Sequence, residues 1–107
     1  MKLKDLIAWL EKQPQDAVVI NGFGSPHSYR GYCEDLAFAP ASVTTIGEML
    51  SSATGAVGQV FHGWKGGEYY MNRDTLCWIA YDGCTVVEPI NEETLSRWEE
   101  WVEETNK

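Results

Sequence analysis

Cysteine is scarce in this sequence, with three among 107 residues, at Cys33, Cys77 and Cys84. Their odd number, without a C-x-x-C pair or a histidine pair at zinc spacing, disfavours both a disulfide framework and a metal site. We therefore expect free thiols that act as small buried hydrophobic side chains, and neither a metal nor another cofactor.

Long apolar runs are also missing. No window approaches the roughly 20 continuous apolar residues that a transmembrane helix needs. Asp5 stands where the apolar core of a signal peptide would begin. These two absences lead us to expect a cytoplasmic protein that does not interact with membranes.

Positive charge is in short supply. Eight basic residues face sixteen acidic ones, which gives a formal net charge of -8. Half of this charge lies in residues 92–107, where six acids outnumber two bases. An acidic surface repels the phosphates of nucleic acids and anionic lipids, so generic binding to DNA, RNA or membrane surfaces is disfavoured.

Apolar residues recur at helical spacing near both ends of the chain. The first stripe ends before Pro14 and predicts an amphipathic helix on Leu3, Leu6, Ile7 and Leu10. Asn91 can cap a last helix, whose apolar face carries Leu95, Trp98 and Val102. The rest of the last helix is strongly acidic.

A third, shorter helix is indicated in the middle of the chain. Thr45 and Glu48 have the spacing of a capping box, which predicts a helix over about 46–54. Gly47 is its weak point, since glycine inside a helix costs about 1 kcal/mol relative to alanine. Gly55 suits its C-terminal cap.

Short runs of β-branched and aromatic residues predict about five strands, drawn from 17–20, 36–38, 57–62, 68–71, 76–81 and 84–87. Asp82-Gly83 predicts a two-residue hairpin turn between the last two runs. The glycine-rich stretch 21–32 is expected to be a loop. Together the elements predict one α+β domain over residues 1–107, a small antiparallel sheet with N-terminal, middle and C-terminal helices packed on it.

The strand predicted over 76–81 is apolar on both faces, so both should be covered. Either the helices divide between the two faces, or the second face packs against another copy of the chain. We favour a homo-oligomer, because thirteen aromatic residues are many for this length and aromatic side chains are enriched at interfaces.

Common catalytic and nucleotide-binding motifs do not fit. A dinucleotide-binding fingerprint starting at Gly22 would need a glycine where His27 stands, and 63–67 has neither the spacing nor the hydroxyl of a P-loop. A cysteine hydrolase would have to pair Cys33 with His27 or His62, and no nucleophile signature surrounds that cysteine. We therefore expect no enzymatic activity.

One part of the glycine-rich loop concentrates ligand-handling groups, namely His27, Ser28, Tyr29, Arg30 and Tyr32. Arginine can grip a phosphate with two parallel hydrogen bonds, aromatic rings stack on bases, and flanking glycines let the backbone approach an anion. The alternative is structural: the two tyrosines border the core and Arg30 pairs with Glu34 or Asp35.

A second candidate set follows in 63–73 and comprises Trp64, Lys65, Tyr69, Asn72 and Arg73. The aromatic rings offer stacking surfaces, Asn72 can read a base edge, and the cations can contact phosphate. The alternative here is a plain hairpin turn at Gly66-Gly67 with tyrosines alternating between core and surface.

Three motifs resemble a family of small, largely uncharacterised proteins of bacteriophages and prophages. They are Ser28-Tyr29-Arg30-Gly31-Tyr32, Asp35-Leu36-Ala37-Phe38-Ala39-Pro40 and Val43-Thr44-Thr45-Ile46-Gly47-Glu48-Met49-Leu50, with Lys65-Gly66-Gly67-Glu68-Tyr69 continuing the pattern. The resemblance covers residues 1–84. The acidic last helix departs from it, and Cys33 stands where a tyrosine is expected. The resemblance implies a phage accessory protein in an infected bacterial cytoplasm, where small non-enzymatic proteins often counter host immunity.

Two functions from different classes follow. The first is a homo-oligomeric binder that sequesters a nucleotide immune signal without turnover, using the two candidate sets. The second is an acidic inhibitor whose last helix, with Trp98 and Trp101 as anchors, occupies a nucleic-acid-binding surface of a host defence protein. For that helix the alternative is an amphipathic element with its tryptophans in the core. A hydrolase acting on a signal nucleotide is disfavoured for want of a catalytic constellation.

Overall fold

A computed structural model describes residues 1–28, 35–62, 68–81 and 86–105. The helices in these ranges are α1 (Leu3–Glu11), α2 (Ile46–Ala56) and α3 (Glu92–Thr105). The strands are β1 (Val18–Ser28), β2 (Leu36–Thr45), β3 (Val60–His62), β4 (Glu68–Tyr70), β5 (Cys77–Tyr81) and β6 (Val86–Pro89).

The main sheet has the strand order β1-β2-β5-β6. Strands β1 and β2 are antiparallel, as are β5 and β6, whereas β2 and β5 are parallel. A second sheet consists of the antiparallel pair β3 and β4. The α+β prediction with three helices is confirmed. The main sheet is mixed rather than purely antiparallel, because α2, β3 and β4 lie between β2 and β5 in the chain and β5 runs parallel to β2.

The predicted apolar stripes form the core. Leu3, Leu6, Ile7 and Leu10 of α1 are buried, and so are Leu95, Trp98 and Val102 of α3. The Asn91 side chain accepts a hydrogen bond from the Thr94 N–H at 3.2 Å, which confirms the predicted cap.

Helix α2 begins as predicted, with the Thr45 hydroxyl accepting a hydrogen bond from the Glu48 N–H at 3.2 Å. It ends later than predicted, because Gly55 lies inside the helix and the turn to positive φ occurs at Gly58. Gly47 lies close to the Gln15 backbone: its N–H donates to the Gln15 carbonyl at 2.9 Å, and an added Cβ would lie 3.0 Å from that oxygen.

Two strands are longer than the sequence predicts. Residues 21–28 were expected in a loop and instead extend β1, while β2 continues past Pro40 to Thr45. The two strands pair along most of their length, with an irregularity between Phe23 and Pro26. Pro40 is tolerated because β5 pairs only with the first three residues of β2, leaving Pro40 with a neighbouring strand on one side.

The predicted two-residue turn at Asp82-Gly83 lies outside the described residues. The pairing of the strands on either side differs from the prediction. Tyr81 pairs with Val86, so four residues rather than two connect β5 to β6. A two-residue turn would have paired Tyr81 with Cys84.

All three helices contribute to one core cluster on the same face of the main sheet, together with alternate strand residues such as Phe23, Phe38 and Ile79. The helices therefore do not divide between faces. The other face of β5 is only partly buried: Ala80 is buried, Trp78 is half-buried, and Leu76, just before the strand, is 44% exposed. No helix in the described ranges is long and apolar enough to cross a bilayer.

Candidate functional site

Three neighbouring strands of the main sheet line up at one end. Ser28, the last residue of β1, pairs with Leu36, the first residue of β2, and Leu36 pairs with Cys77, the first residue of β5. Neighbouring strands lie about 4.8 Å apart, so the backbones at Ser28 and Cys77 are about 10 Å apart. The residues that flank the connection 29–34 and the approach to β5 therefore lie at the same end of the sheet.

The first candidate set straddles the end of β1. His27 pairs with Ala37 and Ser28 with Leu36, so both belong to a strand, which corrects the predicted loop. Their side chains, and the whole of Tyr29, Arg30 and Tyr32, lie outside the described residues. Just beyond the connection, the Asp35 carboxylate accepts a hydrogen bond from the Trp78 indole N–H at 2.9 Å. This bond fixes the start of β2 to β5.

Two residues of the second candidate set, Asn72 and Arg73, lie in the approach to β5 at that end of the sheet. The Asn72 side-chain oxygen accepts a hydrogen bond from the Asp74 N–H at 2.8 Å, and the Thr75 hydroxyl accepts one from the Asn72 N–H at 2.9 Å. Both close a turn that presents Arg73, which is exposed. Asn72 thus shapes the turn, and its amide NH₂ group is what it can offer to a ligand.

Only part of the second set lies within the described residues. Trp64 and Lys65 lie outside the described residues. The backbone of Tyr69 pairs with Phe61 in the small sheet, and its side chain is not described. Tyr70, which lies in the same stretch but is not among the predicted site residues, is 68% exposed. It borders an open groove of about 570 Å³ lined by Val57, Gly58, Tyr70, Met71, Asn72, Arg73 and Asp74.

Two further cations stand beside this groove. The ammonium groups of Lys2 and Lys4 lie 3.7 and 3.3 Å from the same Asp74 oxygen. Seventy residues separate the lysines from Asp74, so no local motif could have signalled the cluster. Its only sequence signature is the positive charge at the start of α1.

Cys77 is not a nucleophile. Its side chain is 1% exposed, and burial raises the pKa of the thiol from 9.0 to about 12. The neutral thiol therefore persists at physiological pH and acts as a small core residue, as expected. Cys33 and Cys84 lie outside the described residues.

The two tryptophans of helix α3 differ in exposure. Trp98 is 1% exposed and belongs to the core, so it cannot anchor a partner, whereas Trp101 is 41% exposed. Trp101 shares a shallow pocket with Glu100 and Glu104. The other glutamates of the helix are also exposed, and Arg97 pairs with Glu88 of β6.

Within the described ranges, no three histidine, cysteine or acidic side chains are grouped to hold a metal ion. No protein-family model matches the sequence, and neither the curated proteins nor the solved structures yield a match. The resemblance to phage proteins stays a prediction.

Proposed function

We propose that this chain is a cytoplasmic accessory protein of a phage, and that it binds a nucleotide-type immune signal and sequesters it without turnover. The contacts come from His27, Ser28, Tyr29, Arg30 and Tyr32 at one side and from Asn72 and Arg73 at the other. Potency then follows affinity and copy number, because each protein molecule removes ligand without converting it.

The convergence of two chain segments at one end of the sheet carries the proposal. Ser28, two residues before Arg30, and Cys77, four residues after Arg73, both pair with Leu36 at this end of the sheet. Two arginines far apart in sequence can thereby approach one anion. In a chain of net charge -8, close bidentate contact is the way to hold a phosphate against the general repulsion.

A second copy of the chain is part of this proposal. On the face opposite the helices, Ile20 pairs directly with Val43, which is 66% exposed, and Val18 beside them is 40% exposed. Such exposed aliphatic neighbours favour association. Sedimentation velocity at micromolar concentration should give a mass above that of the monomer, and Val43→Lys should return it to the monomer mass; a monomer in the unaltered protein contradicts this part.

Native mass spectrometry tests the binding. The purified protein is sprayed alone and with a panel of linear and cyclic nucleotides, and the released ligand is then weighed after denaturation. We expect a discrete adduct with one nucleotide whose mass is unchanged after prolonged incubation. A ligand that leaves with altered mass would show turnover, and a protein that takes up nothing from the panel would count against nucleotide binding.

Arginine substitutions locate the site. Arg30→Ala should weaken binding at least tenfold, because it removes a charge-assisted hydrogen-bonding group from the ligand. Arg97→Ala is the matched control, because Arg97 is exposed and pairs with Glu88 on the last strand. Equal affinities of the two variants would contradict the site.

The exposed acidic surface of α3 favours a second candidate, an inhibitor that mimics nucleic acid toward a host protein. Six glutamates lie on this helix, and Trp101 is exposed between Glu100 and Glu104. Replacing residues 99, 100, 103 and 104 by glutamine should then abolish inhibition of a host defence and remove its salt dependence. If inhibition persists in that variant, the mimic is excluded and sequestration is favoured.

A further inference from the structure

Three of the eight basic residues of this acidic chain gather at one place, Lys2, Lys4 and Arg73. Residues 1–5 and 70–76 together carry these three cations and two carboxylates, Asp5 and Asp74, in a chain whose net charge is -8. The cluster is thus a local positive region on a negative protein.

Backbone pairing builds the cluster. The Lys4 N–H donates to the Arg73 carbonyl at 2.9 Å, the Leu3 N–H donates to the Thr75 carbonyl at 2.8 Å, and Lys2 forms a β-bridge with Leu76. These bonds hold the start of α1 against the turn that presents Arg73. They also occupy the first N–H groups of the helix, so the side chains must supply any contact to an anion.

The cations differ in how they are neutralised. Lys2 and Lys4, each about half exposed, share the one carboxylate of Asp74, which leaves the pair with a surplus positive charge. Within the described part of the chain, no carboxylate pairs with the Arg73 guanidinium. A doubly charged phosphate can satisfy both needs, since arginine binds it with a planar fork and lysine as a point charge.

The groove beside the cluster offers room for an aromatic group. The Tyr70 ring is 68% exposed at its border, and an added Cβ at Gly58 would meet nothing within 4 Å, so that part of the groove is open. Base–aromatic stacking contributes about 1–3 kcal/mol where a base lies on an exposed ring.

We infer that Lys2, Lys4 and Arg73 form the phosphate subsite of the ligand and that Tyr70 stacks on its base. This inference rests on the proposed sequestration of a nucleotide and adds three residues, Lys2, Lys4 and Tyr70, that sequence analysis did not assign. It makes a phosphorylated nucleotide, rather than a nucleoside, the chemical class that binds.

Amide NMR titrations test the subsite with three probes at constant ionic strength: inorganic pyrophosphate, ADP and adenosine. Pyrophosphate should shift the resonances of Arg73 and its neighbours in the turn. ADP should also shift those of Gly58 and Tyr70, and adenosine should bind at least tenfold more weakly than ADP. Shifts spread evenly over the protein, or equal binding of adenosine and ADP, would overturn the inference.

Substitutions that remove positive charges test which cations bind the phosphate. Arg73→Gln and the double change Lys2→Gln with Lys4→Gln should each raise the apparent Kd of ADP about tenfold or more. Lys12→Gln is the control, because Lys12 is exposed and ten residues along α1 from Lys2, about 15 Å away. If the control weakens binding as much as Arg73→Gln does, the effect is general charge and the subsite does not exist.

A comparison with Arg30 separates this inference from the function on which it rests. If Arg30→Ala abolishes nucleotide binding while Arg73→Gln leaves it unchanged, sequestration stands and the phosphate subsite is wrong. If the nucleotide panel and all three probes fail to bind, both are wrong. Loss of binding in both arginine variants supports both.

Discussion

The indole N–H of Trp98 donates a hydrogen bond to the backbone carbonyl of Asn21, 3.1 Å away, and so ties α3 to β1. The same ring lies 5.6 Å from the Phe23 ring and 6.2 Å from the Trp9 ring, centroid to centroid. Trp98 therefore joins the first helix, the first strand and the last helix. Asn21 is itself unusual, since its φ of 57° lies in the left-handed region that asparagine tolerates better than most residues.

Trp98→Phe should lower the free energy of unfolding by about 2 kcal/mol, because it removes both a hydrogen bond and buried volume. Urea unfolding followed by far-UV circular dichroism measures the change. Trp101→Phe on the same helix is the control and should cost less than about 0.5 kcal/mol, since that ring is 41% exposed. Equal losses in the two variants would contradict the central role of Trp98.

The hydrogen bond between Asp35 and Trp78 gives a prediction about the proposed ligand loop. Asp35→Ala removes the acceptor that fixes the end of the 29–34 connection to β5, and should cost about 1–2 kcal/mol in stability. It should also weaken nucleotide binding, because Asp35 directly follows the segment that carries the proposed ligand residue Arg30. Asp35→Asn keeps an acceptor oxygen and should retain most of both properties in the same unfolding and binding assays. If the asparagine variant behaves like the alanine variant, the charge of Asp35 matters rather than its hydrogen bond.

The helices could be predicted from the sequence because their signals are local. The stripe from Leu3 to Leu10, the Thr45 cap and the Asn91 cap all lie within a few residues of the structure they specify. The extent of β1 could not be predicted from the sequence. The glycines in 21–28 have low strand propensity, and only pairing with β2, a distant segment, overrides this propensity. The sequence likewise ends the strand at 36–38, before Pro40, whereas pairing with β1 extends β2 to Thr45.

Part of the candidate site could also be predicted from the sequence, and part could not. Asn72 and Arg73 were assigned from residue chemistry, and the structure places them in an exposed turn. Lys2 and Lys4 were missed because their approach to Asp74 depends on the backbone bonds between α1 and the approach to β5. Charge clusters formed across 70 residues have no local pattern to reveal them.

Two glycines should respond to alanine in opposite directions. At Gly22, an added Cβ would lie 2.6 Å from a methyl carbon of Thr44 and 3.0 Å from the sulfur of Met49, so Gly22→Ala should cost about 1–3 kcal/mol through overpacking. At Gly55, in helix α2, an added Cβ meets nothing within 4 Å, and Gly55→Ala should gain about 0.5–1 kcal/mol from the lower entropy of the unfolded chain. Thermal unfolding of both variants checks the pair. A stabilising Gly22→Ala would mean that Thr44 and Met49 do not lie so close to Gly22.

Cys77 should make stability depend on pH in the alkaline range. Burial raises the pKa of its thiol from 9.0 to about 12, so between these values the unfolded chain releases a proton that the folded chain keeps. The thiol therefore contributes its full stabilisation below pH 9, and this contribution falls by on the order of 1 kcal/mol per pH unit above it.

Comparison with Cys77→Ala isolates this effect, because every other titrating group is common to both proteins. At pH 8 the variant should be less stable by about 1 kcal/mol, owing to the small cavity that it leaves. At pH 10.5 the difference should shrink or change sign, since only the unaltered protein carries the buried thiol. Urea unfolding under reducing conditions at the two pH values measures the difference. A difference that stays constant would show that the thiol titrates normally in the folded protein and hence that water reaches it.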